Sequence, residues 1–363
     1  MNRIIIDSSA IRDNYLTVKG WVNDHGASLT VVTKALCGHL ETLRALSGMG
    51  VSSIADSRLQ NVQEMSEQGL GFEKWFLRPP SQSQLEEVVE LTDVSLNTEL
   101  GTVKKLNDVA KSRQKVHKVI LMIELGDLRE GILPGALVKL YNEVFQLDNI
   151  DILGIGANLG CFSGTVPSVD QMMQLILYRE LLELKFEKNL PLISAGSSVV
   201  LPFLLEGQVP SAINHFRVGE AILLGTDLIN GGSMKGLRDD AFILEAEIIE
   251  MKEKSLTPSG ETMEDIAPFS AVEENAEEER TPGQRGYRAV VTVGGLDTEV
   301  SGLVPVNEEY QIAGASSDVT VLNVGDNPEG LGTGDTVCFK MGYVTMVRLM
   351  NNSYTERVLK ETL

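Results

Sequence analysis

The sequence predicts an α/β protein, a (β/α)8 barrel followed by a C-terminal all-β domain. Three observations predict it. Up to about Leu228, segments dense in Val, Ile and Leu alternate with segments of helical periodicity, the pattern of a parallel sheet with helices outside it. After Asp240 that rhythm gives way to short β-branched runs between Gly-rich turns. A chain of 363 residues is also too long for one ordinary domain and fits a large barrel plus a smaller module.

The strand-like segments are 3–7, 29–34, 52–55, 74–78, 93–97, 117–125, 150–158, 191–195 and 213–217. Setting 3–7 apart leaves eight, the number that closes such a barrel. The barrel then runs from about Leu29 to Leu228, after a lead-in helix near Ser9–Asn23. Ser57–Gln68, Glu99–Arg113 and Val169–Lys188 carry helical periodicity, with Ser57 and Thr98 expected as N-caps of the first two. The domains divide at 1–239 and 240–363, and the isolated strand 3–7 is expected to pair with the C-terminal domain, since chain termini often lie close together. In that domain Phe242–Met251, Ala289–Val293, Val319–Val324 and Thr336–Phe339 read as strands. The stretch 252–286 is rich in Pro, Ser and Glu. Between Glu261 and Glu279 it carries eight acidic residues and no basic one, a composition that resists burial and reads as a solvated insert.

Composition narrows the function. A formal charge of -20 argues against nucleic acid and anionic membranes as partners, since both select basic surfaces. No apolar run reaches the ~18 residues of a membrane span. The opening Met1-Asn2-Arg3-Ile4-Ile5-Ile6-Asp7 is too short and too soon acidic for a signal peptide. Cys37, Cys161 and Cys338 are few, odd in number and widely spaced, which points to a reducing cytoplasm without a disulfide framework or zinc site.

In a barrel of this kind functional groups collect at the C-terminal ends of the strands. The run Thr30-Val31-Val32-Thr33-Lys34-Ala35-Leu36-Cys37-Gly38-His39 delivers one lysine there. A desolvated lysine becomes a nucleophile able to form a Schiff base with a carbonyl, whereas a strand-end lysine can also simply reach water. Other strands end in Glu124-Leu125-Gly126-Asp127-Leu128-Arg129-Glu130-Gly131, in Gly156-Ala157-Asn158, in Gly196-Ser197-Ser198 and in Arg217-Val218-Gly219-Glu220. Gly-Ser-Ser before a helix is either a phosphate cradle or an ordinary capped turn. Arg217 is either a rim ion pair or a ligand for an aromatic nitrogen. Taken together, a Schiff-base lysine, a phosphate nest and such an arginine are the features that pyridoxal 5'-phosphate requires.

Val31-Val32-Thr33-Lys34, Gly126-Asp127-Leu128-Arg129-Glu130-Gly131 and Asn214-His215-Phe216-Arg217-Val218-Gly219-Glu220-Ala221 resemble the alanine racemase superfamily, the fold-type III pyridoxal-phosphate enzymes. Gly154-Ile155-Gly156-Ala157-Asn158-Leu159, Ser194-Ala195-Gly196-Ser197-Ser198 and Gly314-Ala315-Ser316-Ser317-Asp318 are similar to its ornithine racemase type. The resemblance covers nearly the whole chain. It implies an amino-acid racemase in which Lys34 holds the cofactor and acts as one acid/base at the substrate α-carbon. It further implies that Arg217 faces the pyridine nitrogen, and that Ser197, Ser198, Gly219 and Glu220 bind the phosphate. Arg129 would lie near the cofactor phenolic oxygen or the substrate carboxylate. Asn158 takes the place of a histidine under the ring, and Tyr354 corresponds to a C-terminal tyrosine at the phosphate. Ser317 and Asp318 match a Met-Asp pair contributed by the partner subunit, so a head-to-tail homodimer with shared sites is implied.

One departure from the family matters. The catalytic tyrosine of alanine racemases falls in Val293-Gly294-Gly295-Leu296-Asp297, where Gly295 stands in its place. Racemisation by two bases needs an acid/base on each face of the α-carbon. Asp297, Asp318, Cys161, Tyr287 and Tyr343 are the candidates for the second, with Asp318 put first because it lies in a matched segment. A polar or diamino acid such as ornithine is the expected substrate, because Asp127 and Glu130 add negative charge beside the site. The bland alternative has these two carboxylates in solvent or buffering Arg129. Met122 replaces a modified lysine that orients the arginine, so Glu124 is expected to form an ion pair with Arg129. The competing function is a non-catalytic pyridoxal-phosphate carrier, favoured by the missing tyrosine and opposed by the C-terminal domain.

Overall fold

The computed structural model describes residues 2–257, 259 and 284–360. The acidic stretch 261–279 lies outside the described residues. In chain order the elements begin with β1 (Arg3–Asp7), α1 (Ser8–Asp24), β2 (Ser28–Val32), α2 (Leu40–Gly48), β3 (Ser53–Asp56), α3 (Leu59–Glu67), β4 (Glu73–Phe76), α4 (Leu85–Leu91) and β5 (Val94–Asn97). There follow α5 (Leu100–Ser112), β6 (His117–Met122), α6 (Leu137–Val144), β7 (Ile150–Gly156), α7 (Val169–Phe186), β8 (Leu192–Gly196), α8 (Leu201–Leu205), β9 (His215–Val218) and α9 (Glu220–Leu224). The chain closes with β10 (Phe242–Ser255), β11 (Arg285–Val291), β12 (Leu303–Pro305), β13 (Gln311–Ala315), β14 (Thr320–Asn323), β15 (Thr336–Met341), α10 (Tyr343–Met350) and β16 (Glu356–Lys360). The chain divides into two compact units, Ile11–Arg238 and Met1–Ala10 with Asp239–Leu363.

In the first unit β2 to β9 form a closed barrel in sequence order. Every neighbouring pair is parallel, and β9 returns to β2 with Val31 opposite Val218. Strands buried on both faces must be apolar throughout, which explains their Val, Ile and Leu density. Part of the filling is a cluster of Ala55, Trp75, Val94, Leu96, Ile120 and Met122, with Leu77, Leu153 and Leu192 against it. The helix starts depart from expectation in detail. Ser57 does not cap α3, because the Asp56 carboxylate reaches the Arg58 N–H first, at 2.9 Å. Thr98 does not cap α5 either, whose N-cap is Glu99 without a side-chain bond. The longest barrel helix, α7, opens on a capping box in which Ser168 and Gln171 satisfy each other's backbone amides. Gln171 Nε2 also donates to Leu125 O at 2.7 Å, tying this helix to the loop after β6.

In the second unit the strand order is β12-β15-β10-β11-β14-β13, and β1 pairs antiparallel with β10 and parallel with β16. The long strand β10 shifts register between Ile248 and Glu250, so its first half serves β1 and β15 and its second half serves β11. That bulge bends the strand and turns the sheet. Ile4, Ile6, Phe242, Leu244, Ala246, Leu322 and Phe339 are buried in its core. The unit also contains the helix α10, whose Thr345, Met346, Leu349 and Met350 are buried. Strand-period reading passes over it, since eight residues give barely two helical turns of pattern. None of the described helices is long and apolar enough to cross a membrane.

Candidate active site

Lys34 opens a 3-10 turn, Lys34–Leu36, directly after β2. Lys34 is exposed, so its amine is accessible. Its backbone is anchored by the preceding residue. Thr33 N–H donates to Ala55 O at 2.9 Å, and Thr33 Oγ1 donates to Asp56 Oδ2 at 3.3 Å. Asp56 is buried and also accepts from Asn61 Nδ2 at 3.2 Å. Burial raises its pKa, against the pull of hydrogen bonds from Arg58, Asn61, Ser57 and Thr33.

On β9, two residues apart and therefore on one strand face, stand His215 and Arg217. Arg217 is buried and donates from Nη1 to Ser194 O at 2.8 Å and to Ser194 Oγ. From Nη2 it donates to Asn158 Oδ1 at 2.9 Å and to Ala157 O at 3.2 Å. Asn158 Nδ2 donates to Glu130 Oε1 at 2.5 Å. The same carboxylate holds Arg129, which donates from Nη2 at 2.5 Å and also from Nε. Burial pushes Arg217 down to about 10, which still leaves a cation at neutral pH. Arg129 is raised, chiefly by its hydrogen bond to Glu130.

The network continues inward. Ser194 Oγ lies 2.7 Å from His215 Nδ1, His215 Nε2 lies 2.9 Å from Thr30 Oγ1, and Thr30 Oγ1 lies 2.8 Å from Ser53 Oγ. Ser194 Oγ also receives an N–H from Arg217. Trp75 stacks on the imidazole with centroids 4.5 Å apart at 21°. Burial first, and the Arg217 charge second, push His215 down to about 3, so it is neutral. Composition-based reading singled out neither Ser194 nor His215. The signal was the period of two on β9, which places a second polar residue one inward position from Arg217.

The third cluster sits where two short helical turns start. Ser197 Oγ is buried and has no partner among the described residues. Ser198 Oγ accepts the Ala221 N–H at 3.2 Å, joining the turn after β8 to α9. At Gly219 an added Cβ would come within 2.9 Å of Val32 Cβ, so glycine lets this turn close against the end of β2. Glu220 accepts from Thr226 Oγ1 at 3.1 Å, and burial raises its pKa while Thr226 and the Lys34 charge oppose that shift.

Two expectations for the loop after β6 are overturned. Among the described residues no ion pair joins Arg129 to Glu124. Arg129 pairs with Glu130, and Glu124 Oε1 accepts the N–H groups of Gly126 at 2.6 Å and Leu128 at 3.0 Å. Asp127 is buried and accepts the N–H groups of Phe162 at 2.9 Å and Ser163 at 3.1 Å. Asp127 therefore organises a loop and Glu130 buffers Arg129, and neither carboxylate is spare for a substrate ammonium.

Asp318 and Tyr354 belong to the β unit. They line one concavity of about 750 Å³ there, together with Gly295, Asp297 and Arg348. At Gly294 an added Cβ would meet Ser317 O at 2.5 Å, so the loop carrying Asp318 lies flush on the glycine pair. Asp318 is exposed and accepts from Ser317 Oγ at 2.7 Å. Asp297 is engaged by Gly294 N–H at 3.0 Å and Asn352 Nδ2 at 3.2 Å. Of the remaining second-base candidates, Cys161 is exposed and Tyr287 and Tyr343 are partly buried.

Within the barrel unit the donor set fits pyridoxal phosphate. It offers a strand-end amine at Lys34, a partnerless buried hydroxyl at Ser197 beside two helix starts, and a wired cation at Arg217. A family model described as alanine racemase, N-terminal domain, matches residues 6–227. The chain is 35% identical over 358 residues to the ornithine racemase of Acetoanaerobium sticklandii, covering 98% of this chain and 99% of that protein. It is 31% identical over 363 residues to the lysine racemase of Thermotoga maritima, covering 99% of each. Among solved structures it is similar to the alanine racemase from a D-cycloserine-producing Streptomyces lavendulae, with TM-score 0.76 at 16% identity over 100% of this chain and 97% of the other. It is also similar to the alanine racemase of Bartonella henselae with covalently bound pyridoxal phosphate, with TM-score 0.71 at 16% identity over 99% of each.

Proposed function

We infer the reaction from one premise: this chain belongs to the alanine racemase superfamily. It is a pyridoxal-phosphate-dependent amino-acid racemase acting on a small-molecule substrate. The carrier alternative is not favoured, because the similarity to racemases runs the whole length of the chain, β unit included. The observation that supports the assignment of residues is the barrel arrangement, in which Lys34 follows β2 and the buried Arg217 lies on the adjoining strand β9. When bound, the cofactor supplies the electron sink that makes a substrate α-proton acidic.

The chain's own residues do the rest of this proposed work. Lys34 would hold the cofactor and would move the proton on one face of the α-carbon. Arg217 would face the pyridine nitrogen and, because an arginine keeps its proton, would leave that nitrogen unprotonated. Asn158, held between Arg217 and Glu130, would take the place under the ring. Arg129, fixed by Glu130, would serve the phenolic oxygen or the substrate carboxylate. Ser197, Ser198, Gly219 and Glu220, the last through its backbone N–H, hold the phosphate, with Tyr354 a further phosphate contact. Asp318 of a partner copy serves as the second acid/base, which makes the working form a head-to-tail homodimer with shared sites. Its exposure in a concavity beside Gly295 supports this reading.

The substrate is a diamino acid, ornithine first. Two full-length relatives bearing the names ornithine racemase and lysine racemase support this. Cys37, Cys161 and Cys338, which form no disulfide among the described residues, support a cytoplasmic setting. The deciding experiment is α-proton exchange in heavy water with L-ornithine, L-lysine, L-alanine, L-serine and L-glutamate, followed by proton NMR and polarimetry. Fast deuterium uptake with loss of rotation for ornithine and lysine is expected. A preference for alanine would overturn the substrate, and a colourless, inactive protein after cofactor addition would overturn Lys34 as the Schiff-base lysine.

A further inference from the structure

Arg217 is a buried cation whose terminal nitrogens donate to four neutral acceptors, Ser194 O, Ser194 Oγ, Ala157 O and Asn158 Oδ1. Among the described residues no carboxylate pairs with it directly. A buried charge is normally compensated by an opposite one. The carboxylate that its hydrogen bonds lead to is Glu130, one amide away. Asn158 accepts from Arg217 Nη2 on Oδ1 at 2.9 Å and donates from Nδ2 to Glu130 Oε1 at 2.5 Å. Reversing that amide would set its NH2 group against the guanidinium and its oxygen against the carboxylate. The two opposite charges therefore hold the side chain in one orientation.

Glu130 thus serves two guanidiniums, Arg129 by direct contact and Arg217 through Asn158. Burial lowers Arg217, and charges on Cys161 and Glu130 oppose that shift. Of these two, Glu130 is the one joined to it by hydrogen bonds. We propose that Glu130 is the counter-ion of Arg217, its charge delivered through the Asn158 amide, and so a positioning residue for that guanidinium. The indirect route has a physical advantage. A carboxylate in direct contact engages two donors of a guanidinium at once, whereas the amide takes one. Arg217 Nε, without a partner among the described residues, is left for a ligand. The relay stands on hydrogen bonds within the chain. Its consequence for the cofactor alone rests on the function proposed above.

The test is a set of double-mutant cycles on the full chain, with two readouts. In urea titrations of the cofactor-free protein, Glu130→Gln and Arg217→Gln should be coupled by ~10-fold in the folding equilibrium constant. Once Asn158→Leu has cut the link, the coupling should fall below ~2-fold. It should persist in an Arg129→Gln background, where Glu130 has lost its direct partner. Additive losses, undiminished coupling with Asn158→Leu, or loss of the coupling with Arg129→Gln would overturn the proposal. The second readout is pyridoxal phosphate titrated into the same variants, followed by its absorption band and dissociation constant, and it decides alone should Arg217→Gln not fold. Glu130→Gln in the Arg129→Gln background should weaken binding ~10-fold and shift the band, with Glu130→Asp restoring part of both. An unchanged band and dissociation constant there would remove Glu130 as a positioning residue. An unmutated chain that takes up no pyridoxal phosphate would overturn the cofactor reading instead, and the urea cycle would still decide the counter-ion.

Discussion

Arg217 and Asp318 are proposed to serve one reaction, yet the two units hold them in opposite ways. Arg217 is buried on a strand, and its two terminal nitrogens reach Ser194, Ala157 and Asn158. Asp318 is exposed on a loop, where the neighbouring Ser317 hydroxyl donates to it. A group that must define the protonation state of a ring nitrogen needs a fixed position and a fixed charge, and a closed barrel provides both. An acid/base completed by a partner copy has to stay presented at a surface until the copies meet. The barrel end is thus preorganised by folding, whereas the role proposed for Asp318 depends on a partner copy.

The sharpest way to break this contrast is to remove one group from each side. Lys34→Ala should abolish α-proton exchange with both enantiomers, a loss of at least ~10³-fold. Asp318→Asn should slow interconversion by ~10²-fold or more while one enantiomer still exchanges its α-proton, readable as deuterium uptake with rotation retained. Equal losses in both exchange and inversion for Asp318→Asn would remove it as the second acid/base.

The next effect concerns acid stability and belongs to the barrel alone. His215 and His117 are buried, and burial holds them down to about 3 and about 4 respectively. His117 Nε2 lies 2.8 Å from Ser95 Oγ, so it too is engaged by a hydroxyl. The unfolded chain takes up protons near the ordinary histidine value of about 6.5, whereas the folded chain does not until far lower pH. Stability is therefore lost as pH falls below about 6.5, by on the order of a few kcal/mol down to pH 5. Urea titrations at pH 7 and pH 5 should show it, and His215→Gln should flatten part of the slope.

Smaller effects follow at the loops. Asp127→Asn weakens a charged acceptor shared by Phe162 and Ser163, and should cost about 1–3 kcal/mol in the same titration without switching preference from ornithine to alanine. Tyr354→Phe, at an 85% exposed position, should change stability by less than about 0.5 kcal/mol. A large stability loss there would show that the β-unit concavity is as rigidly wired as the barrel end.

Much of this was legible in the order of residue types. Eight apolar segments alternating with helical ones define a barrel because a strand buried on both faces has few alternatives. The positions of Lys34, Asn158, Ser197 and Arg217 at strand ends follow from that pattern directly. The carboxylates were harder. Glu124, Asp127 and Asp56 find their partners largely among backbone N–H groups of nearby loops and turns, and every residue but proline carries such a group, so composition gives no hint of the choice. The same holds for Ser57, displaced as a cap by a carboxylate one residue earlier.

The sequence by itself determined the strand order of the barrel, the family and the identity of the ionisable groups near the rim, because these depend on local pattern and residue type. Only the tertiary structure decided which of those groups are free and which are already engaged. Ser194 lies on β8 and Asn158 just after β7, and their hydrogen bonds to Arg217 on β9, like that between Ser194 and His215, arise only when the barrel closes.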